Sequence, residues 1–224
     1  MIIFIDGADG VGKTTLGYAL AEWIGCDYVD VPLSAYVADG QNGYDANETF
    51  RNIVKCGYTK DKTDFEKMWL NVLGLIHLKE KYKDSVVVTI RGLTSSHMWN
   101  YTPETKVVFD FLASQGIGTD YSIALDATDE TRLNRMLKRG LDEEEVRTKK
   151  VKHFDIKPSI EHMRKMGYEI DYIDTTNLSI EEVLERAKGL VLESETVKKG
   201  IKELEEKSNK GKGSGADEPP PFGG

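Results

Sequence analysis

Cysteine is scarce in this chain, which contains only Cys26 and Cys56 among 224 residues. Two cysteines without a CxxC spacing supply neither a disulfide framework nor a thiolate metal site, so we expect reduced thiols. Long apolar runs are missing too, because no stretch approaches the roughly 20 residues that a membrane-spanning helix needs. The opening residues, MIIFID, lack the basic segment and the length of a secretory signal. We therefore expect a cytoplasmic location, in a cell or in an infected host.

Positive charge is also in short supply. Lys and Arg number 30 against 38 Asp and Glu, which gives a net charge of −8. An acidic chain with a pI near 5.2 is a poor sequence-independent ligand for nucleic acid, so we expect no direct nucleic-acid binding and no membrane binding. The length is sufficient for one domain that buries its own core without metal or disulfide support.

Short apolar strands alternate with amphipathic helices along most of the chain. The predicted strands cover 2–6, 26–31, 85–90, 121–127 and 168–174. The predicted helices cover 13–24, 47–56, 64–83, 103–115, 128–140 and 179–193, a further helix ends near Met166, and a polar loop covers 38–48. This alternation indicates an α/β fold in which helices cover both faces of a parallel sheet.

The composition divides the chain into three parts. A folded domain is expected over 1–193, followed by a charged helical extension over 194–208 and a tail over 209–224. The tail holds three of the six prolines and is rich in Gly and Ser, which predicts disorder. Because the tail also combines acidic residues with Phe222, recruitment of a protein partner is the alternative.

The segment GADGVGKT has the spacing of a phosphate-binding loop and lies between the first strand and the first helix. Glycines let backbone N–H groups surround an anion, and the helix N-terminus adds partial positive charge. Lys13 is placed to contact the β- and γ-phosphates, and the Thr14 hydroxyl to bind Mg²⁺. The loop predicts a nucleoside triphosphate held by Gly7, Ala8, Gly10, Val11, Gly12, Lys13, Thr14 and Thr15.

Three classes of phosphate-loop protein have to be separated. A GTPase needs an Asn-Lys-x-Asp segment, which is absent. A mechanical ATPase needs an apolar strand that ends in Asp, whereas VVVTI continues into Arg91. The remaining class is a kinase with a small acceptor, which closes a basic lid over the triphosphate because phosphoryl transfer depends on cations.

A lid is available after the fourth strand. Arg132, Arg135 and Arg139 occupy one predicted helix, Gly140 is a plausible hinge, and Arg147 follows in the next segment. An ordinary charged surface helix with acidic partners is the alternative that spacing alone leaves open.

Several stretches together resemble the thymidylate kinase family, with the deoxynucleoside kinases as near relatives. They are GADGVGKTT at 7–15, IRGLTSSHMW at 90–99, LDATDETRLNRMLKRG at 125–140 and YIDTTNLSIEEVLERA at 172–187. The resemblance implies a three-layer αβα sandwich around a five-stranded parallel sheet of order 2-3-1-4-5, with a helical lid. It further implies Mg²⁺, ATP as phosphoryl donor, a deoxynucleoside monophosphate such as dTMP or a related pyrimidine nucleotide as acceptor, and a homodimer.

The same resemblance implies roles for individual residues. Asp9 would contact the 3′-hydroxyl of the acceptor, although a turn-forming Asp that only stabilises the loop is the alternative. The implied acceptor-binding set is Asp9, Asp30, Arg91, Ser95 and Ser96. The implied catalytic set is Lys13, Arg91, Arg135, Arg139 and Arg147.

Departures from the family concentrate on the acceptor side. Ile90 stands where the family has an Asp, so Asp126 or Asp6 would have to reach Mg²⁺ through water. The Arg-Glu-Pro motif after the second strand is absent, which leaves Asp30 as a shifted acidic group. Gly74 or a neighbour stands in place of an acceptor-binding Arg. We therefore expect an acceptor other than simply dTMP. A deoxynucleoside kinase with Asp30 as base, or a nucleotide-binding regulatory protein derived from a kinase, are the alternatives.

Overall fold

Five parallel strands form the central sheet of the computed structural model, which describes residues 1–38, 48, 49, 52, 62–118, 120–140 and 155–213, with side chains as far as 206. The strands are β1 Ile2–Gly7, β2 Asp27–Val29, β3 Val87–Ile90, β4 Tyr121–Asp126 and β5 Ile170–Asp174. Their order is β2-β3-β1-β4-β5, as the family resemblance predicts. All neighbouring pairs are parallel.

Helices cover both faces of this sheet. In the described part of the chain they are α1 Lys13–Ile24, α2 Pro32–Ala38, α3 Asp64–Lys81, α4 Leu93–Asn100, α5 Lys106–Ser114, α6 Asp129–Lys138, α7 Lys157–Lys165, α8 Ile180–Glu193 and α9 Glu195–Gly213. No helix among these residues is both long enough and apolar enough to pass through a membrane.

The strands are apolar along their whole length because each face meets a helical layer. Alternate residues such as Ile3 and Ile5 pack with α1 and α8, where Leu20 and Ala187 are fully buried. The intervening Phe4 packs with α3, α5 and α7 in a second cluster. Period-2 side-chain alternation therefore directs one strand into two separate cores, as expected for a parallel sheet.

Two helices were not expected from the periodicity of the sequence. Helix α2 follows β2 directly and begins at Pro32, where the fixed φ of proline suits the first helical position. Helix α4 begins two residues after Arg91 and buries Leu93. Both are only two turns long and too short to show a helical period.

Other boundaries follow the predictions within a few residues. Ser179 and Glu182 form the predicted capping box of α8, with hydrogen bonds of 3.1 and 2.8 Å. Helix α9 continues to Gly213, five residues beyond the expected end of the extension. The helix predicted over 47–56 falls largely outside the described residues, as does the tail from 214 onward.

Candidate active site

The phosphate loop connects β1 to α1 at the carboxyl edge of the sheet. Gly7, Gly10 and Gly12 adopt positive φ of 137°, 86° and 107°, which L side chains rarely adopt. A Cβ on Gly10 would also lie 3.0 Å from the carbonyl oxygen of Arg132. A loop with these φ values turns successive N–H groups to one side, the geometry that binds phosphate.

Lys13, the first residue of α1, is folded back against the loop. Its Nζ donates to the Ala8 carbonyl oxygen at 2.6 Å, and the residue as a whole is 7% exposed. Burial, and after it the charge of Arg91, lower the pKa of Lys13 to about 8, although Asp9 and Asp6 act in the opposite direction. This lysine is a buried cation that an incoming phosphate would stabilise.

The Asp9 carboxylate lies between two cations. Its Oδ1 is 3.4 Å from an Arg91 guanidinium nitrogen and 3.7 Å from Lys13 Nζ. Arg91 follows β3 directly and is the one non-glycine residue in the described part of the chain with positive φ, 64°. This conformation costs roughly 1 kcal/mol, so the fold holds the Arg91 side chain over the loop at the expense of backbone strain.

Two arginines of α6 attach the back of the loop to the domain. Arg132 is 1% exposed, and its Nε donates to the Asp9 carbonyl oxygen at 2.8 Å, while another nitrogen bonds Asp129 at 3.0 Å. Arg135 donates to the Val11 carbonyl at 3.4 Å and to the Thr175 carbonyl at 2.7 Å. Helix α6 therefore holds the loop through hydrogen bonds to its carbonyl oxygens. Gly140, which has positive φ, follows the end of this helix.

Two cavities flank the loop. The Asp9 cavity, about 470 Å³, is lined by Asp9, Val31, Pro32, Leu33, Lys67, Leu70, Asn71, Leu75, Arg91, Ser95, Ser96, Trp99 and Asn100. The Thr15 cavity, about 370 Å³, is lined by Val11, Gly12, Thr15, Leu16, Ala19, Arg135, Lys138, Arg139, Thr175, Leu178, Ser179, Ile180, Val183 and Leu184. The Asp9 cavity combines aliphatic residues with charged and polar groups and one tryptophan, whereas the Thr15 cavity is lined mainly by apolar residues and by three cations, Arg135, Lys138 and Arg139.

The predicted site residues divide between these cavities. Arg91, Ser95 and Ser96 join Asp9 in the Asp9 cavity, and Arg135 and Arg139 join Thr15 in the Thr15 cavity. The Ser95 hydroxyl already accepts from the Gly7 N–H at 3.1 Å, so it supports the loop as well. Arg147 lies outside the described residues.

The two carboxylates predicted for the metal side, Asp6 and Asp126, have different surroundings. Asp6 is fully buried and accepts from the Ser95 N–H at 3.1 Å and from the Ser122 hydroxyl at 2.8 Å. Asp126 accepts from the Ala127 N–H at 2.9 Å and from the Tyr172 hydroxyl at 3.2 Å.

Asp30 is not among the residues that line the Asp9 cavity. Its side chain is buried and bonds the Tyr28 hydroxyl at 3.0 Å instead.

Gly74 lies on α3 where that helix packs against α2. A Cβ at this position would lie 2.6 Å from the backbone of Pro32 and of Leu33, so α2 occupies the space that a larger side chain would need. The polar wall of the Asp9 cavity is built by Lys67, Asn71 and Asn100 instead. No sequence motif identifies these three residues. The only available indication was that Lys67 and Asn71 lie four residues apart on one predicted helix, close to the apolar Leu75.

Comparisons with known proteins give likeness in structure only. No family model and no curated protein matches the sequence. Deoxyadenosine kinase from M. mycoides with bound dATP has a TM-score of 0.51 at 17% identity, covering 85% of this chain and 99% of that chain. Thymidylate kinase from Ehrlichia chaffeensis has a TM-score of 0.53 at 17% identity, covering 86% and 98%.

The M. mycoides deoxyadenosine kinase with the products dCMP and dCDP has a TM-score of 0.54 at 19% identity and covers 87% of this chain and 100% of that chain. The chain therefore has the P-loop kinase fold that thymidylate kinases and deoxynucleoside kinases share. This confirms the fold that the phosphate loop and the order of the motifs predict.

Proposed function

We propose that this protein is a kinase that transfers the γ-phosphoryl group of ATP to a deoxynucleoside monophosphate in the presence of Mg²⁺. The observation that carries the proposal is the position of Asp9 and Arg91. Both line the Asp9 cavity, and the loop that carries Asp9 also borders the Thr15 cavity. A carboxylate inside a phosphate loop favours an acceptor with a hydroxyl to donate, and an arginine beside it favours a phosphate.

The donor is assigned to the loop and the Thr15 cavity. The triphosphate would accept from loop N–H groups and from protonated Lys13, while the base would enter the slot bordered by Leu178 and Ile180. Thr14 is an exposed residue at the start of α1, and the hard oxygen of its hydroxyl fits Mg²⁺. Bound Mg²⁺ would offset phosphate charge, and Arg135 and Arg139 would add cations at the cavity mouth.

The acceptor is assigned to the Asp9 cavity. One of its phosphate oxygens attacks the γ-phosphorus in line, the bond from that phosphorus to the β–γ bridging oxygen breaks, and ADP leaves without a covalent enzyme intermediate. Arg91 would stabilise the charge on the transferred group, and Asp9 would accept a hydrogen bond from the sugar hydroxyl. Trp99 offers the base an aromatic wall.

A panel of acceptors tests this function. ATP and Mg²⁺ are supplied with each deoxynucleoside monophosphate and, separately, with each deoxynucleoside, while ADP release is recorded. We expect release above the no-acceptor rate with at least one monophosphate. Release with nucleosides alone would replace this proposal by a deoxynucleoside kinase, which the likeness to deoxyadenosine kinase favours. ATP binding without any acceptor-dependent release would indicate the regulatory alternative.

The buried state of Lys13 predicts a pH dependence of ATP binding. The folded, ligand-free pKa of about 8 lies below the usual 10.5, and phosphate binding favours the protonated form. We expect ATP affinity to fall above pH 8, approaching tenfold per pH unit, with uptake of nearly one proton per ATP at pH 9. Calorimetry in two buffers of different ionisation enthalpy measures that uptake. No uptake at pH 9 would contradict a depressed pKa.

The lowered pKa of Lys13 also affects how the stability of the fold depends on pH. Between pH 8 and pH 10.5 the folded chain binds fewer protons at Lys13 than the unfolded chain does. The contribution of Lys13 to stability therefore rises with pH across this window and is smallest below pH 8.

A homodimer is proposed through an apolar stripe on α3 and α5. The stripe is formed by exposed side chains at helical spacing, namely Phe65, Trp69, Leu73, Ile76, Val107 and Phe111. The Trp69 ring contacts Phe111 at a centroid distance of 5.8 Å, so the two helices present one surface. Helix α3 carries acidic residues in its first turn and basic residues in its last, so two copies that pack antiparallel place opposite charges together.

Leu73→Glu puts a charge at the centre of this stripe and should convert the dimer to monomer. Sedimentation should then give 25.1 kDa rather than twice that mass. Leu192→Glu on α8 is the matched control, because Leu192 is exposed and lies outside the stripe. A wild type that sediments as a monomer contradicts the dimer.

A further inference from the structure

Arg132 is the largest side chain that the described part of the chain buries completely. It belongs to α6, whose Arg135 and Arg139 line the Thr15 cavity, whereas Arg132 lines neither of the two cavities beside the loop. A guanidinium keeps its charge, and burying a charge is unfavourable unless hydrogen bonds compensate for it. The contacts of this guanidinium therefore indicate which part of the molecule the buried charge serves.

The guanidinium connects the start of α6 to the phosphate loop. Its Nε donates to the Asp9 carbonyl oxygen at 2.8 Å, and a terminal nitrogen donates to Asp129 Oδ1 at 3.0 Å. The backbone of Arg132 lies against the next loop residue, because a Cβ on Gly10 would lie 3.2 Å from the Arg132 Cα. Arg132 therefore lies beside both residues of the Asp9–Gly10 peptide, with its side chain at one and its backbone at the other.

A fixed carbonyl also fixes the groups on the other side of this peptide. The Asp9–Gly10 bond is trans, so the Gly10 N–H points away from the side on which Arg132 holds the carbonyl. The Asp9 carboxylate lies 3.4 Å from Arg91 and 3.7 Å from Lys13 Nζ. Without the anchor, Asp9 could turn about its own backbone bonds and carry the carboxylate away from both cations. Arg132 thus restricts the direction in which Asp9 faces the Asp9 cavity.

Neighbouring carbonyls of the loop have other donors. Lys13 Nζ donates to the Ala8 carbonyl oxygen at 2.6 Å. Arg135 donates to the Val11 carbonyl oxygen at 3.4 Å. Loss of the Arg132 side chain would leave these two hydrogen bonds in place, so the part of the loop that binds phosphate should keep its shape. We therefore expect Arg132 to affect the acceptor side of the loop more than ATP.

We propose that Arg132 is a positioning residue for the acceptor, which acts through the Asp9 backbone on the direction of the Asp9 carboxylate. This rests on the proposed function only in requiring an acceptor whose hydroxyl meets that carboxylate. It replaces the lid role that helical spacing predicts for Arg132, because a side chain bonded at both ends inside the domain does not close over a triphosphate. A small displacement of a group that positions a substrate can lower a rate by about 100-fold.

The test is a double-mutant cycle between Arg132 and Asp9. Initial rates are recorded with ATP, Mg²⁺ and whichever acceptor of the panel, monophosphate or nucleoside, releases most ADP. Arg132→Met removes the donors and keeps an unbranched side chain. We expect it to lower kcat/KM for the acceptor about tenfold, while the dissociation constant of ATP changes less than about twofold.

The second half of the cycle starts from Asp9→Ala, which removes the carboxylate but keeps the carbonyl that Arg132 binds. If Arg132 acts through the carboxylate, adding Arg132→Met to this variant should lower kcat/KM for the acceptor by less than about twofold. A residue that only supports the fold would cause the same loss in both backgrounds.

Two further variants control for folding and for the loss of an arginine. Arg132→Lys keeps the charge and a donor but not the fork, so it should recover part of the loss. Where Arg132→Met does not fold, Arg132→Lys carries the cycle, with a smaller loss that again disappears in Asp9→Ala. Arg164→Met should match wild type, because Arg164 donates from Nε to the Ile170 carbonyl oxygen at 3.0 Å and lines neither cavity.

The results that would overturn the inference differ from those that would refute the proposed function. An unchanged kcat/KM for the acceptor in Arg132→Met would remove the role, and an equal loss in the Asp9→Ala background would make Arg132 independent of the carboxylate. A tenfold weaker binding of ATP would make Arg132 a support of the whole loop. A wild type that releases no ADP with any acceptor would refute the proposed function itself, and this inference with it.

Discussion

Replacing Arg91 by Ala should lower kcat about 1000-fold, because an arginine aimed at a transferring phosphoryl group stabilises charge that develops only in the transition state. The effect should fall on kcat more than on the KM for ATP, since Arg91 lines the Asp9 cavity rather than the Thr15 cavity. Steady-state rates at saturating ATP and acceptor measure it. Arg91→Lys is the matched control, which keeps the charge but loses the forked geometry and should recover only part of the rate.

The positive φ of Arg91 allows a second prediction, on stability, at the same position. Because Arg91 has a φ of 64°, glycine fits its backbone better than alanine does. Arg91→Gly should therefore unfold with a free energy about 1 kcal/mol higher than Arg91→Ala, while both variants remain equally inactive. Urea unfolding of the two variants measures the difference. Equal stabilities would argue that the positive φ is not maintained for function.

Replacing Asp9 by Ala should have the second largest effect. We expect it to lower kcat/KM for the acceptor about 100-fold without weakening the binding of ATP. The Asp9 carboxylate lies 3.7 Å from Lys13 Nζ and 3.4 Å from Arg91, so its removal frees both cations for phosphate. ATP affinity should therefore stay the same or increase. Initial rates against acceptor concentration, with ATP binding measured separately, divide the two effects.

Asp9→Asn separates the charge from the turn. Asparagine forms the same local turns as aspartate, so a residue needed only for loop shape would be rescued by it. We expect no rescue of acceptor kcat/KM. Loss of ATP binding in Asp9→Ala, restored in Asp9→Asn, would make Asp9 a structural residue and remove the main support for a sugar-bearing acceptor.

The parts of the structure that follow local rules could be predicted from the sequence. The loop is one contiguous segment whose glycines, lysine and threonine have separate chemical duties, so its spacing was sufficient to recognise it. The sheet order followed from the order of motifs that resemble one family. Predicted strand positions held because residues such as Phe4 must be apolar when both faces of a sheet are covered.

Burial of polar residues could not be predicted in the same way. Spacing placed Arg132 with Arg135 and Arg139 on a lid-like helix, yet Arg132 is 1% exposed and bonds the Asp9 carbonyl. Helical periodicity shows which charges share a face but not whether that face meets solvent or a loop. The contact depends on glycine at position 10. A Cβ there would lie only 3.0 Å from the Arg132 carbonyl oxygen, so a larger residue would push α6 away from the loop.

The Asp9 cavity was predictable only in part, because its wall is assembled from separate elements. Asp9 and Arg91 could be named from motifs, whereas Lys67 and Asn71 come from α3 and Asn100 from α4, with no spacing that links them. Asp30 was named for its place at a strand end, but the direction of its side chain depends on Tyr28. The direction of such side chains depends on contacts between residues that are distant in the sequence, and a local sequence pattern does not reveal those contacts.

Transfer of label from [γ-³²P]ATP tests the central claim most directly. The protein is incubated with Mg²⁺, labelled ATP and the acceptor from the panel that releases most ADP, and the products are separated. We expect label in the terminal phosphate of a deoxynucleoside diphosphate, at a rate that Arg91→Ala lowers about 1000-fold. Label found only in inorganic phosphate, or only in a monophosphate made from a nucleoside, would contradict it.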